Sequence, residues 1–331
     1  MLSCDTREQF SQRWRTVPAR RACAGFFCPV PHGHRNKGGY RSPMPVSWTY
    51  ITGHTSCADV AHALVGIYEL APGRVVLIDS GGRPSKEFLD GLRSRGLTVR
   101  AIICTHLHID HVANNRALIE RDGAELFAYE DNVNYFNHTA LSTDWRFIGG
   151  PPTKCPITVI PSGSSFVEVD GARFGILPTP GHIPGHTAII TPDGVCHLGD
   201  AVMSGKDLSR AKMPYMLDVD EAVVSMEAVR ETDYPFYLVS HCGIFTREEM
   251  PAMVDENIQK ELDIYDLLRS IAVEPMEMEE LVTRFMDAAD IHTKFSIAQE
   301  ATRSTCRARV YGLINAGEFI LDGSVVRPQK K

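Results

Sequence analysis

Residues 105–111 read Thr-His-Leu-His-Ile-Asp-His and follow directly on the apolar, β-branched run 99–104. A strand that delivers such a cluster to a loop constrains the fold more than any other feature of this chain. On extended backbone His106 and His108 point the same way, so one ion can take both, leaving Asp110 and His111 for a second. Imidazole nitrogen and carboxylate oxygen suit zinc and similar divalent metals. A lone His-x-His pair is most simply a histidine-rich surface loop. Three histidines and an aspartate within six residues are not explained that way.

The cluster has distant partners. Thr179-Pro180-Gly181-His182-Ile183-Pro184-Gly185-His186 is a turn carrying two further histidines. Gly199-Asp200 closes the strand-like run 195–198, and Ser240-His241-Cys242-Gly243 closes the run 236–239. Each candidate ligand thus falls where a strand ends, the place where layered α/β folds put their chemistry, because the sheet holds the strand ends still while loops vary.

In order and type, His-x-His-x-Asp-His, Thr-Pro-Gly-His, Gly-Asp and a late His resemble the metallo-β-lactamase superfamily of metal hydrolases, over about residues 46–244. The resemblance implies an α/β fold, a four-layer αββα sandwich with a dinuclear metal centre in a cleft along one edge of its two sheets. It gives His106, His108 and His182 to the first metal, Asp110, His111 and His241 to the second, and makes Asp200 the carboxylate bridge. Asp79-Ser80-Gly81-Gly82, ending the apolar run 75–78, looks like the family's early strand-end Asp motif that buttresses the site. Within the superfamily His108 is a glutamate in flavodiiron oxidoreductases, and Asp200 is a cysteine or otherwise different in the main antibiotic-hydrolysing classes. What remains is similar to glyoxalase II, lactonases and thioesterases. The implied cofactors are two divalent ions per chain, zinc first, with manganese or iron as the other candidates.

Two such ions about 3.5–4 Å apart lower the pKa of a shared water, polarise a substrate carbonyl and stabilise the resulting oxyanion. The expected activity is therefore hydrolysis of a small thioester, lactone or related ester by a metal-bridging hydroxide, with Asp110 as the catalytic carboxylate that orients the nucleophile and shuttles its proton. The alternative is a mononuclear iron oxidoreductase like the persulfide dioxygenases, which share the His-x-His-x-Asp-His run but load only the first site. A third reading is a winged-helix regulator whose metal domain senses a ligand. His186 reads as a supporting residue and His197 as a core residue, while His54, His62, His138 and His292 carry no partner pattern.

The 331 residues, 44% hydrophobic, are enough for one large domain and a smaller one. Charge divides unevenly: residues 1–45 hold eight Lys or Arg against two acidic residues, a balance of +6, and the remainder carries −13. The leader, which includes His32 and His34, reads as disordered, as a tether to RNA or a membrane surface, or as a mis-assigned start ahead of Met44. Nothing in the acidic body advertises nucleic acid, so the expected partner is a small-molecule substrate. No apolar stretch reaches the roughly 20 residues of a membrane span, and no secretory signal is evident. Nine cysteines, an odd number with no Cys-x-x-Cys, point to a reducing, cytoplasmic setting.

From residue 46 the pattern alternates. Strands are expected at 48–52, 63–69, 74–79, 125–129, 157–160, 165–169, 172–178 and 187–191, with helices at 85–95, 114–122 and 220–231. Residues 131–153 read either as an active-site insertion or lid, with Tyr135, Phe136, Trp145 and Phe147 as candidate walls, or as a surface packing segment. The loop 204–217, with Lys206, Arg210, Lys212 and Tyr215, is a candidate contact for substrate anions. Beyond 250 come helical periods at 253–272, 278–287 and 297–315 and a hairpin over 317–326 with Asp322-Gly323 at its turn, which resembles a winged-helix module. Residues 251–331 carry a balance of −4, too acidic for a DNA-reading module. They read as a dimerisation or cleft-capping element, with Arg303, Arg307 and Arg309 as its basic stripe. The organisation expected is a leader at 1–45, a hydrolase domain at 46–250 and a C-terminal module at 251–331.

Overall fold

Near-continuous apolar runs in the central strands require a layer on each face, and the structure, a computed structural model describing residues 46–138, 156–292 and 296–329, supplies both. The leader, the assigned start, Trp145 and Phe147 lie outside the described residues. The first sheet follows chain order: β1 (Ser47–Thr52), β2 (Thr55–Asp59), β3 (Leu64–Ala71), β4 (Arg74–Ile78), β5 (Thr98–Ile103), β6 (Glu125–Tyr129) and β7 (Ile157–Ile160). Its first four strands pair antiparallel and β4 to β7 pair parallel. Parallel neighbours need crossover connections. These carry α1 (Lys86–Ser94), α2 (Ile109–Val112), α3 (Asn115–Asp122) and α4 (Glu130–His138). The Ser85 hydroxyl caps α1 by accepting the Phe88 N–H at 3.1 Å, and Gly123, in the left-handed region at φ 67°, stops α3.

The second sheet runs β13-β12-β11-β10-β9-β8, comprising β8 (Phe166–Val169), β9 (Ala172–Pro178), β10 (Thr187–Ile190), β11 (Val195–His197), β12 (Phe236–Val239) and β13 (Gly243–Thr246). All its pairings are antiparallel except β11 with β12, whose connection holds the short α5 (Gly205–Arg210) and α6 (Val219–Arg230).

Packing follows the pleat. Val75 and Leu77 join Phe88, Leu92 and Leu118 beneath the helices of the first sheet. Their neighbours Val76 and Ile78 join Phe174, Ile176 and Ile189 between the sheets. Leu126 and Phe127 divide the same way, and each such side chain contributes about 1.5–3 kcal/mol on burial. Leu238 also faces the inter-sheet space. Tyr237 and Val239, on the opposite face of β12, are equally buried, and the Tyr237 hydroxyl bonds Thr232 just past α6 at 2.8 Å. Helices thus cover both outer faces, and the architecture is the four-layer αββα sandwich. Strands β2 and β13 escape the sequence pattern, since neither Thr-Ser-Cys-Ala-Asp nor Gly-Ile-Phe-Thr offers an apolar β-branched run.

The chain continues into α7 (Met250–Ile271), α8 (Met278–Ala288) and α9 (Ser296–Asn315), with a small antiparallel sheet of β14 (Met276–Glu277), β16 (Val325–Pro328) and β15 (Phe319–Asp322). Gly323, at φ 62°, makes the hairpin turn. Residues Val46–Lys331 form one compact unit, in which α7 packs on α5 and α6. No helix among the described residues is long and apolar enough to cross a membrane.

Candidate metal centre

Strand β4 stops at Ile78, and the next residue, Asp79, is fully buried with φ 62°. Its carboxylate accepts the Thr105 N–H and the Thr105 O–H, each at 2.8 Å, and the His111 Nδ1–H at 2.9 Å. These three bonds satisfy a charge that would otherwise be costly to bury. They also fix the first turn after β5, where the histidine cluster begins. Gly199, at φ 54°, ends the corresponding run in the second sheet and sets Asp200 opposite. A Cβ there would stand 2.6 Å from His186 Nε2, so the approach requires glycine.

Hydrogen bonds on the outer side of each ring decide which nitrogen faces inward. His182 Nδ1 lies 2.8 Å from the Tyr215 carbonyl, and His241 Nδ1 lies 2.7 Å from the His62 carbonyl. His111 Nδ1 meets Asp79, and His106 Nδ1 meets the Thr105 hydroxyl at 3.1 Å, whose own proton goes to Asp79. Carbonyls and carboxylates only accept, so each of these rings carries a proton on Nδ1 and turns its Nε2 to the centre. His108 is the exception, presenting Nδ1 at 3.0 Å from both His106 Nε2 and His182 Nε2. Four nitrogen ligands at about 2.0–2.1 Å around a zinc ion would stand about 3.3 Å apart, close to this spacing.

Asp200 divides its two oxygens between two groups. Oδ2 lies 4.0 Å from His106 Nε2 and 3.5 Å from His182 Nε2, whereas Oδ1 lies 3.3 Å from His111 Nε2 and 3.4 Å from His241 Nε2. Asp110 Oδ2 is 3.5 Å from His241 Nε2. Donor atoms therefore converge in overlapping sets: His106, His108 and His182; His106, His111 and Asp200; Asp110, His111 and His241. His111 Nε2 and Asp200 Oδ1 are buried and close, yet neither has a hydrogen-bond partner among the described residues. A shared cation would satisfy both. All seven residues named from sequence come together here, and their donor set fits divalent ions of the zinc type.

The electrostatics agree with that fit. Burial pushes His106, His108 and His182 below the ordinary imidazole range, the first two far below it, which keeps them in the neutral, ligating form. Burial also opposes protonation of His111, but Asp200 and Asp79 outweigh it and raise its pKa well above the ordinary value. For His241 burial is likewise outweighed by Asp200, and the pKa rises to about 9. Burial works against ionisation of Asp200, yet His111 and His241 hold its carboxyl well below the usual range. The anionic bridge draws positive charge to its Oδ1 side, a demand that a divalent cation meets.

Two other buried histidines are fully occupied. His186 donates from Nδ1 to Thr179 and accepts the Asp200 N–H at Nε2, 3.0 Å away, so it braces Asp200 without offering a lone pair. His197 bonds the Leu64 carbonyl and the Gly199 N–H inside the core. Sequence carries no sign of the Tyr215 and His62 carbonyls that aim His182 and His241, because any residue type has a carbonyl. His62, at φ 67°, contributes through its backbone and not its ring.

A cleft of about 400 Å³ opens beside the centre, lined by His108, Asp110, His182, Asp200 and His241 together with Tyr215, Cys242 and a set of apolar residues that includes Met203, Met213, Pro214, Met216 and Ala301. The basic residues of 204–217 do not line it, contrary to the expectation of an anion contact. Ser204 caps α5, which carries Lys206 and Arg210 outward to exposed positions, Arg210 beside Asp207 at 3.7 Å. Lys212 pairs with Asp290 at 3.1 Å. Phe136, expected as a lid wall, is buried in the core beneath the first sheet with Tyr135 packed against it. Its ring meets His108 edge-on, 6.0 Å between centroids.

One wall of the cleft is pinned from α7 and α9. Arg309, fully buried, donates to both oxygens of the equally buried Glu261 at 2.9 and 2.6 Å, and to the carbonyls of Thr305 and Pro214. The Thr305 hydroxyl accepts the Met216 N–H at 2.8 Å. Between Pro214 and Met216 stands the Tyr215 carbonyl that aims His182, so α9 is tied through this segment to the metal ligands.

Comparison with known proteins gives a consistent result. The family model described as "Metallo-beta-lactamase superfamily" matches residues 59–241. A hydroxyacylglutathione hydrolase GloC of Haemophilus influenzae is 26% identical over 132 residues, 39% of this chain and 61% of that protein. A hydroxyacylglutathione hydrolase of Chromohalobacter salexigens is 29% identical over 138 residues, 41% of this chain and 45% of that protein. The match thus spans less than two thirds of the length of these relatives. Among solved structures, a metallo-beta-lactamase family protein of Thermus thermophilus superposes with a TM-score of 0.61 at 18% identity, covering 86% of this chain and 98% of that one. At that identity the likeness concerns the fold.

Proposed function

Because the chain belongs to the metallo-beta-lactamase superfamily, we propose that it is a dinuclear metal-dependent hydrolase of a small thioester, lactone or related ester. The observation that carries this reading is Asp200, whose two carboxylate oxygens face separate groups of inward-turned histidines. His106, His108 and His182 would hold one ion, Asp110, His111 and His241 the other, with Asp200 between them. Bound there, divalent ions supply Lewis-acid chemistry, activating water near neutral pH and polarising a carbonyl. The chain's own residues do the rest. Asp110, half-exposed at the cleft, is the carboxylate free enough of packing to orient the attacking water and take its proton. Asp79, Thr105 and the Tyr215 and His62 carbonyls hold the rings in the one tautomer that can ligate. Zinc suits this nitrogen-rich set.

The hydroxyacylglutathione hydrolases among the relatives support a thioester or similar acyl bond as the target. The five cysteines among the described residues are free thiols, four of them buried, which supports a reducing, cytoplasmic setting. The test is hydrolysis of a panel of simple thioesters and lactones by protein stripped with chelator and then reloaded with zinc or manganese. Turnover that disappears on stripping and returns on reloading is expected. An iron-loaded protein that consumes oxygen and hydrolyses nothing would replace this reading with the mononuclear dioxygenase one.

A further inference from the structure

The cleft has a mixed lining. His108, Asp110, His182, Asp200 and His241 of the candidate centre line it together with Cys242 and with Tyr215, whose ring meets His108 and His182. Apolar side chains make up much of the remainder, among them Met203, Met213, Pro214, Met216 and Ala301 of α9, and no lysine or arginine lines the cleft among the described residues. An acyl group carrying a carboxylate would lose its hydration against these side chains and find no cation in return. A flexible alkyl chain would lose nothing, and methionine side chains adapt to such a chain better than branched ones.

This apolar wall is held in place before any ligand arrives. Pro214 is fixed by the buried Arg309 guanidinium and Met216 by the Thr305 hydroxyl. The backbone of the wall therefore needs no ordering on binding, and only the methionine side chains adjust.

Resting on the hydrolase reading above, the geometry points to an acyl-chain pocket: the apolar lining of the cleft selects substrates whose acyl group is an uncharged, medium-length alkyl chain. Both the scissile carbonyl and the chain then find matching side chains in one cavity. A polar or charged acyl group, such as a hydroxyacyl group, is the kind this lining disfavours.

The test compares acetyl, butanoyl, hexanoyl and octanoyl thioesters of N-acetylcysteamine on the metal-loaded full chain, beside a hydroxyacetyl thioester of the same thiol. Each methylene buried raises kcat/KM by roughly threefold to fourfold, so butanoyl exceeds acetyl by about tenfold, and the rise levels off when the cavity is full. Ala301→Arg, which brings a cation to the wall, should flatten that slope. Calorimetric binding of octanoate against butanoate reads the same preference without turnover and without the variant. A flat chain-length series, or the hydroxyacetyl thioester preferred over octanoyl, overturns the pocket while leaving the hydrolase reading intact. Tighter binding of octanoate with no member hydrolysed sustains the pocket and overturns the hydrolase reading.

Discussion

Removing the Arg309 guanidinium by Arg309→Met should leave the Glu261 carboxylate fully buried and without its bidentate partner. Both side chains have no solvent exposure, so water cannot take over the lost bonds as it would at the surface. Breaking a buried pair from one side costs about 3–5 kcal/mol. At the low end of the usual 2–4 °C per kcal/mol for domains of this size, Tm falls by roughly 6–10 °C. Glu261→Leu should cost a similar amount, because it strands the guanidinium. In the double variant Arg309→Met with Glu261→Leu, both charges are gone and much of the loss is recovered, which gives a large coupling energy in a double-mutant cycle. The assay is thermal unfolding followed by circular dichroism on all four proteins at one metal concentration. Single variants that lose less than about 1 kcal/mol, or losses that simply add, would refute the reasoning. The double variant also lacks the Arg309 bond to the Pro214 carbonyl, so a recovered Tm should not bring back full affinity for long acyl chains.

Two further outcomes follow from the centre. Asp110→Ala should lower kcat by about a hundredfold or more if this carboxylate moves the proton; full activity with both ions retained, measured by steady-state kinetics beside metal analysis, would remove it from the mechanism. In the metal-free protein His241 has its pKa raised to about 9, above the roughly 6.5 of an unfolded histidine. The folded state then binds more protons than the unfolded chain. Its stabilising contribution is complete below about pH 6.5 and is lost as pH rises through about 9. Urea denaturation of stripped protein should therefore show stability falling across that window, and metal-loaded protein should not show the same fall. Identical pH profiles would contradict the assignment of His241 as a ligand.

The candidate ligand positions were legible in sequence because a metal demands particular side chains, and a short motif such as residues 105–111 places several of them on one strand end. Long apolar runs such as 74–78 and 99–103 likewise announce buried parallel strands by composition alone. What the sequence conceals is work done by backbone. The carbonyls of His62 and Tyr215 aim two ligands, and neither residue's identity is what matters. Strand β2 is specified by its neighbours β1 and β3 and not by its own pattern. The basic side chains of 204–217 could be listed but not aimed; only the turn of α5 and the acidic partner Asp290 decide that they face away from the cleft. Arg309 reads in sequence as one member of a basic stripe, yet it is the largest fully buried side chain among the described residues, whereas Arg303 and Arg307 pair with Glu279 near the surface.

The most direct test of the dinuclear centre is metal content by plasma mass spectrometry on full-length protein purified without chelator, set beside the same measurement on His241→Ala. The arrangement of donors predicts two divalent ions per chain in the unaltered protein and retention of the ion at His106, His108 and His182 with loss of the other in the variant. A single ion per chain in the unaltered protein, unaffected by His241→Ala, would contradict it.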